Sequence, residues 1–69
     1  MTLDQLEFST FCIGNVADAF GIDDREAYNR LHKSGILLDY IVKHYDVLHT
    51  YSRRYITDDL TSLMKERGA

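Results

Sequence analysis

Apolar side chains recur at helical spacing along most of the chain, and this spacing restricts the fold more than any other feature of the sequence. Leu6, Ile13, Val16 and Phe20, for example, fall on one face of a helix drawn at about 100° per residue. No proline interrupts the pattern, and no low-complexity stretch or internal repeat suggests a linker. The sequence therefore predicts an all-α protein.

Glycines and capping residues divide the pattern into helices. We expect helix one from about Leu3 to Phe20, ended by Gly21, because glycine adopts the left-handed C-terminal conformation most easily. Helix two should begin at Asp23, whose side chain can cap it, while Glu26 is placed to reach back in a capping box.

The second half of the chain predicts two more helices. Ser34-Gly35 ends helix two, and helix three should run from Ile36 to near Leu48. Thr50 or Ser52 then caps helix four, about Arg53 to Arg67. The predicted fold is a compact bundle of four short helices in one domain, residues 1–69, with helices two and three arranged like a helix-turn-helix.

Each predicted helix has an apolar face that the bundle should bury. In chain order, the expected inner residues are Leu6, Cys12, Ile13, Val16, Ala17, Ala19, Phe20, Ala27, Tyr28, Leu31, Leu37, Leu38, Ile41, Val42, Tyr45, Leu48, Ile56, Leu60, Leu63 and Met64. We expect most of the tyrosines other than Tyr51, which are Tyr28, Tyr40, Tyr45 and Tyr55, to be core residues with their hydroxyls at its edge. Phe11 falls among polar residues instead, which makes it a candidate partner contact.

Composition disfavours several classes of partner. The net charge is −3 and the pI about 5.4, so the chain lacks the positive field that draws proteins to nucleic acid or anionic lipid. Cys12 is the one cysteine, which rules out an intrachain disulfide and fits a reducing cytoplasm. No apolar run approaches the roughly 18 residues of a membrane span. We expect a cytoplasmic protein without a membrane segment.

The stretch His44-Tyr45-Asp46-Val47-Leu48-His49-Thr50 has the residue types of a metal or catalytic site. His44 and His49 are five residues apart and point about 140° away from each other on one helix, so they cannot chelate together. Asp46 and His49 could hydrogen-bond, but no neighbouring nucleophile has a setting that activates it. We therefore predict no metal, no cofactor and no catalytic residue.

A structural role explains the same stretch. Tyr45 and Leu48 should dock helix three, and His49 can hydrogen-bond the last free carbonyls of that helix. Tyr45 lies four residues before His49, so the two rings can stack. Thr50 then begins the turn into helix four. Asp46 could cap, pair with an arginine or face a partner.

Two binding functions stay open. A DNA-binding helix-turn-helix regulator is the alternative, although Asp39, Lys43, His44 and Asp46 form a poor recognition set. A basic patch would need helix two beside the start of helix four, and its members would be Arg25, Arg30, Lys33, Arg53 and Arg54.

A protein partner agrees better with the composition, which has five tyrosines, three phenylalanines and no tryptophan. Tyr51 lies beside Arg53 and Arg54, a combination suited to an interface. The candidate partner contacts are Phe11, Asp46, Tyr51, Arg53 and Arg54. The partner could also be a second copy of the chain, since so small a domain can finish burying its helix faces in a homodimer.

Several segments together resemble a known family. They are Leu6-Glu7-Phe8 with Cys12-Ile13, Tyr28-x-x-Leu31 before Ser34-Gly35-Ile36-Leu37, Tyr40-Ile41-Val42, the run Tyr45-Asp46-Val47-Leu48-His49-Thr50, and Tyr55-Ile56-x-Asp58-Asp59-Leu60. They are similar to a family of bacterial proteins of about this length, classed as a domain of unknown function, and the likeness covers almost the whole chain. Where members carry a glycine after His-Thr, this chain has Tyr51-Ser52, which favours a side-chain cap over a flexible turn.

The resemblance implies a function that the residues alone do not. Genes of this family often lie beside a gene for a protein that looks like an ADP-ribosyltransferase, and the family brings no known catalytic residues. We therefore expect a non-enzymatic protein-binding module, an antitoxin-like partner of such a transferase-like protein. An acidic surface could compete for a cleft that binds a phosphate-bearing nucleotide.

Overall fold

The computed structural model describes all 69 residues, and every regular element in it is helical. In chain order the elements are α1 (Leu3–Phe20), α2 (Asp24–Lys33), a π-helix (Leu37–Val42), α3 (Tyr45–Leu48) and α4 (Arg53–Arg67). The all-α prediction is confirmed. The prediction of four helices is wrong, because the expected third helix is two separate segments.

Local hydrogen bonds fix both ends of α1. The Thr2 hydroxyl accepts from the Gln5 N–H at 3.1 Å, and the Gln5 side chain accepts from the Thr2 N–H at 2.8 Å, which completes a capping box. Gly21 ends the helix as predicted, with φ of 66° and an N–H directed at the Ala17 and Asp18 carbonyls.

The start of α2 has only half of the predicted capping box. The Asp23 carboxylate accepts from the Glu26 N–H at 2.8 Å, as expected. The Glu26 carboxylate, however, pairs with Arg30 Nε at 3.2 Å, one turn further along the helix. The Glu26 carboxylate thus pairs with the positive Arg30 side chain at i+4 and not with the backbone N–H of Asp23.

The chain bends where a continuous third helix was predicted. After the six residues of the π-helix, Lys43 is still helical, but His44 has φ of −105° and ψ of 24°, which are not helical, and α3 begins only at Tyr45. A continuous helix would place Tyr45 on the same face as Leu37 and Ile41, which are both buried. In the structure the Tyr45 ring contacts Phe8 of α1 instead. With no continuous second helix after the turn, the helix-turn-helix arrangement is not confirmed.

Ser52, rather than Thr50, caps α4. The Ser52 hydroxyl accepts from the Tyr55 N–H at 3.2 Å. The Thr50 hydroxyl instead donates to the Val47 carbonyl at 2.6 Å and belongs to the turn after α3. Of the two capping residues proposed from the sequence, Ser52 is thus the one used.

The core consists of twelve buried apolar residues from every element, and α1 lies at its centre. They are Cys12, Val16, Ala17, Ala27, Leu31, Ile36, Leu37, Ile41, Leu48, Ile56, Leu60 and Met64. The helices α2 and α4 and the π-helix all pack against α1. No helix is both long enough and apolar enough to cross a membrane.

Five residues expected inside lie at the surface. Leu6 is 53% exposed, Leu38 and Tyr55 are each 52% exposed and Tyr28 43%, and Ala19 is also exposed. The length of α1 explains Leu6: its 18 residues span about 27 Å at ~1.5 Å each, while the molecule measures 26 × 21 × 20 Å. The first turn of α1 therefore has little protein beneath it. Tyr28 and Leu38 follow Ala27 and Leu37, which take the inward positions.

Two glycines should respond to alanine with opposite signs. Gly35 has φ of +83°, and a Cβ there would lie 3.2 Å from Asp39 Oδ2, so Gly35→Ala should cost about 1–2 kcal/mol of unfolding free energy. Gly14 lies inside α1 with open space around a Cβ, so Gly14→Ala should stabilise by about 0.5–1 kcal/mol. Urea unfolding measures both; equal shifts in the same direction would contradict the assigned turn.

Candidate functional site

A small pocket lined by aromatic side chains lies where the π-helix, α3 and the start of α4 meet. We call it the tyrosine pocket; its volume is about 230 Å³ and it is lined by Tyr40, His44, Val47, Leu48, Tyr51 and Tyr55. Leu48 is buried, whereas Val47 is 54% exposed, Tyr51 43% and Tyr55 52%. The pocket is therefore open to solvent, and its rim is mainly aromatic.

Two ring pairs, each spaced four residues apart, build this pocket. Tyr51 directly precedes the capping residue Ser52 and Tyr55 lies in the first turn of α4, and their ring centroids are 4.4 Å apart with planes tilted by 38°. Tyr40 and His44 meet at 5.7 Å in an edge-on arrangement at the end of the π-helix. The capping of α4 by Ser52 and the bend at His44 thus bring rings from two segments to one place.

Tyr40 connects this pocket to α4 by a short hydrogen bond. Its hydroxyl donates to Asp59 Oδ2 at 2.5 Å, across 19 positions of sequence. Partial burial, the hydrogen bond to Asp59 and the negative charge of that carboxylate raise the pKa of Tyr40 from 10.0 to about 12. The neutral phenol is therefore held in the folded state, and Asp59 is fixed at the edge of the pocket.

A second aromatic array, which we call the aromatic ladder, crosses from α1 to α3 and consists of Phe11, Phe8, Tyr45 and His49. Phe11 is 43% exposed and stacks on Phe8 at 6.2 Å. Phe8 meets the Tyr45 ring edge-on at 5.6 Å, and Tyr45 stacks on His49 at 4.5 Å with planes 10° apart. The ladder thus places Phe11 in one array with two residues of the stretch around α3.

Acidic side chains surround the middle of the ladder. Desolvation and the carboxylates of Asp4, Asp46 and Glu7 raise the pKa of the Tyr45 hydroxyl. Two of these acids belong to α1 and Asp46 to α3. The ladder therefore has a negative border on both of the helices that carry it.

His49 takes the position at the end of α3 that the sequence predicts. Its ring Nδ1 lies 2.7 Å from the Tyr45 carbonyl oxygen, and its backbone N–H donates to the same oxygen at 3.0 Å. Because a carbonyl oxygen only accepts, Nδ1 carries the proton and Nε2 is left free. Together with the ring stack, these bonds close the short helix.

The five candidate partner contacts do not form one site. Phe11 belongs to the ladder and Tyr51 to the tyrosine pocket. Asp46 and Arg54 are exposed and make no ion pair, since the one ion pair in the protein joins Glu26 and Arg30. The proposed pairing of Asp46 with an arginine is therefore not formed.

Arg53, also proposed as a contact, has a partner within the fold. Its Nε donates to the Asn15 side-chain oxygen at 2.8 Å, and this bond ties the start of α4 to α1. Asn15 is buried, and its amide nitrogen has no hydrogen-bond partner. Arg53 therefore satisfies the oxygen of the buried Asn15 amide but not its nitrogen. This bond limits the freedom of Arg53 to contact another molecule.

No group of three or more His, Cys, Asp or Glu side chains is close enough to share a metal ion. His44 packs on Tyr40 while His49 packs on Tyr45. Burial raises the pKa of the Cys12 thiol to about 12, which suppresses its reactive thiolate form.

Two further concave surfaces lie away from the tyrosine pocket. An apolar groove of about 270 Å³ runs between α1, α2 and the π-helix, and its rim includes Leu6, Tyr28 and Leu38. A basic cleft of about 500 Å³ lies at the C-terminal ends of α2 and α4, and its charged residues are Arg30, Lys33 and Arg67. The predicted patch of Arg25, Arg30, Lys33, Arg53 and Arg54 is not what the fold assembles, because the start of α4 packs against α1.

Reasoning from the sequence missed most of the tyrosine pocket. It assigned Tyr40 and Tyr55 to the core, and it gave Asp59 no role. The spacing of four between Tyr40 and His44 was the available signal, since the predicted third helix would place these two rings on one side. The spacing does not predict the non-helical conformation of His44, which accompanies the meeting of both ring pairs in one pocket.

Replacing His49 by alanine should destabilise the protein. The variant loses a ring stack and a hydrogen bond at the end of α3, so the melting temperature should fall by roughly 4 °C. His32→Ala is the matched control, because His32 stacks on Tyr28 at 5.6 Å without such a bond. Circular dichroism during heating measures both. An unchanged melting temperature with loss of partner binding would make His49 a recognition residue instead.

Tyr40 should ionise at the upper end of the tyrosine titration. Since its folded pKa of about 12 exceeds the ordinary 10.0, its contribution to stability is complete below about pH 10 and lost as the pH rises through 12. Ultraviolet absorbance of tyrosinate follows the titration, and Tyr40→Phe should remove a high-pH component. Asp59→Asn should shift that component to lower pH, because the amide oxygen still accepts but carries no charge. A single midpoint for all tyrosines would contradict this assignment.

Comparisons with known proteins identify a family for this chain. The chain matches no curated protein and no solved structure. Residues 7–67 match the sequence model of a family described as "Protein of unknown function (DUF3791)". This span contains the tyrosine pocket, the whole aromatic ladder and all twelve residues of the core. The chain therefore belongs to the DUF3791 family.

Proposed function

We propose that this protein is a non-enzymatic protein-binding module whose contact surface is centred on the tyrosine pocket. The observation that carries the proposal is the grouping of Val47, Tyr51 and Tyr55, each about half exposed, around one concavity. Exposed apolar residues are ordinary when scattered, but together with tyrosine rings they are typical of an interface. Tyrosine also loses little side-chain freedom on binding, which favours it as an anchor.

The chemistry of the surface supports binding over catalysis. The tyrosine pocket, at about 230 Å³, is smaller than the roughly 300–1,000 Å³ of ordinary small-molecule sites. Its one histidine, His44, packs against Tyr40 and has no nucleophile beside it in the lining. A surface of this kind can hold one or two side chains of another protein.

The partner that we propose is an ADP-ribosyltransferase-like protein encoded by a neighbouring gene, as the family resemblance implies. The protein would act as an antitoxin-like cover of the active site of that partner. Its charge supports this role, because the net charge is −3 and Asp58 and Asp59 line a cleft that adjoins the tyrosine pocket through Tyr55. Such a surface is complementary to a cleft that binds the phosphates of a nucleotide.

A DNA-binding regulator is the second candidate, and the basic cleft favours it. Arg30, Lys33 and Arg67 face one cavity of about 500 Å³ and could contact phosphates. They lie, however, at helix C-termini, where positive side chains offset the negative end of the helix dipole. Arg30 pairs with Glu26 and Arg67 donates to the Ser34 carbonyl, so two of the three cations have partners within the protein.

A homodimer is compatible with the first proposal and would use a different surface. Leu6, Leu38 and Tyr28 leave the apolar groove partly uncovered, at exposures of 53%, 52% and 43%. A second copy could cover this groove while the tyrosine pocket stays available. Light scattering reports the oligomeric state.

Co-expression with the neighbouring transferase-like protein tests the proposed function. The two should copurify, and the toxicity of the transferase-like protein should fall. Tyr51→Ala should weaken copurification on the order of tenfold, because central interface tyrosines typically contribute more than about 1 kcal/mol. Tyr28→Ala is the matched control, since Tyr28 has the same 43% exposure and also packs on a ring four residues later.

Three results would contradict the proposal or redirect it. No copurification and unchanged toxicity would remove the transferase-like partner. Weakening by Tyr28→Ala but not by Tyr51→Ala would move the interface to the apolar groove. A gel shift of the DNA upstream of the protein's own gene that weakens steeply with salt would favour the regulator, and no shift at low salt would remove it.

A further inference from the structure

Four aromatic rings line the tyrosine pocket, and no lysine or arginine side chain of the protein lines it. The Tyr51 and Tyr55 rings overlap at 4.4 Å, and Tyr40 with His44 forms the facing pair. Aromatic faces carry partial negative charge, so such a concavity attracts cations as well as apolar groups. Neither Lys43 nor Arg54, the cations next in sequence to these rings, lines the pocket.

Two carboxylates lie beside the rings and lack a cation. A shallow cleft of about 360 Å³ adjoins the pocket through Tyr55 and is lined by Asp58, Asp59 and Ser62. Asp59 accepts a hydrogen bond from Tyr40, which orients its carboxylate. Neither acid forms an ion pair, because the one ion pair of the protein lies on α2. Aromatic faces and unpaired carboxylates therefore adjoin each other at the surface.

The size of the pocket limits what can enter it. About 230 Å³ is too small for a drug-sized molecule but large enough for a single long side chain. Because Tyr55 lines both the pocket and the adjoining cleft, a chain that lies along its ring can place its end near Asp58 or Asp59. The site therefore suits an elongated group with a cationic end.

We infer that the tyrosine pocket binds an arginine side chain of the protein partner, with the guanidinium against the Tyr51 and Tyr55 rings and directed toward the Asp58 and Asp59 carboxylates. A guanidinium is planar, stacks on aromatic faces and pairs with carboxylates through two N–H donors, which a lysine ammonium cannot match. This inference rests on the proposed function and names the group that the binding module would recognise.

Binding of a small arginine probe tests the inference without the partner. Nα-acetyl-arginine amide should bind the full chain with a Kd on the order of 1 mM. Amide chemical shifts in NMR spectra should move at Tyr51, Tyr55 and Asp59. Tyrosine fluorescence gives a second readout, because the protein has no tryptophan. Nα-acetyl-citrulline amide, which has the same shape without the charge, is the ligand control and should not bind measurably.

Variants assign the site. Tyr51→Ala and Asp58→Asn should each weaken binding of the arginine probe by about 3–10-fold. Asp59→Asn should do so as well, with its fold checked by thermal melting because Asp59 also bonds Tyr40. Tyr28→Ala should bind as the unchanged protein does. Equal binding of the citrulline probe, shifts confined to another surface, or no loss in Tyr51→Ala and Asp58→Asn would overturn the inference.

Copurification with the partner separates the two proposals. If the partner binds but the arginine probe does not, the arginine inference fails and the binding module stands. If the probe binds at the tyrosine pocket but no transferase-like protein copurifies, the arginine site stands and the identity of the partner fails. Substituting the arginine residues of a bound partner one at a time should then find one whose loss weakens the complex as Tyr51→Ala does.

Discussion

The packing of α1 against α2, α4 and the π-helix is the contact on which the rest of the structure depends. Its residues Cys12, Val16 and Ala17 are small or medium-sized, which lets three other segments approach one helix within a molecule only 26 × 21 × 20 Å across. Twelve buried apolar side chains fill the space that results. A chain of 69 residues has little further volume to bury, so most of the aromatic rings remain at its edges.

This limited core explains where sequence reasoning succeeded and where it did not. The bounds of α1 and the cap of α2 follow from local signals at Gly21 and Asp23, and the structure has both. Burial of Tyr28 and Leu6 was expected from their helical faces, but a face on a wheel does not show whether other protein lies beneath it. That depends on the length of α1 relative to the whole molecule, a tertiary property.

The third segment shows the same limit for the candidate site. Local spacing placed His49 at a helix end and beside Tyr45, and both contacts are present. The same spacing predicted one helix from Ile36 to Leu48. In such a helix the angle between the Tyr40 and Tyr45 side chains would be set by helical geometry. The π-helix and the non-helical His44 change those angles, so Tyr40 bonds Asp59 while Tyr45 meets Phe8. No residue in this segment has a local preference that would have predicted the change.

In the proposed arginine site, Asp59 would serve both stability and recognition, and this would restrict how it can vary. One of its carboxylate oxygens accepts from Tyr40 and holds the π-helix against α4, while its charge borders the tyrosine pocket. A substitution of Asp59 would therefore affect both the stability of the fold and the binding of any cation there. Tyr51 and Tyr55 belong to the surface more than to the core, so their replacement affects binding with less cost to folding. If the pocket selects its partner, specificity can diverge at these two rings while Tyr40 and Asp59 keep their positions.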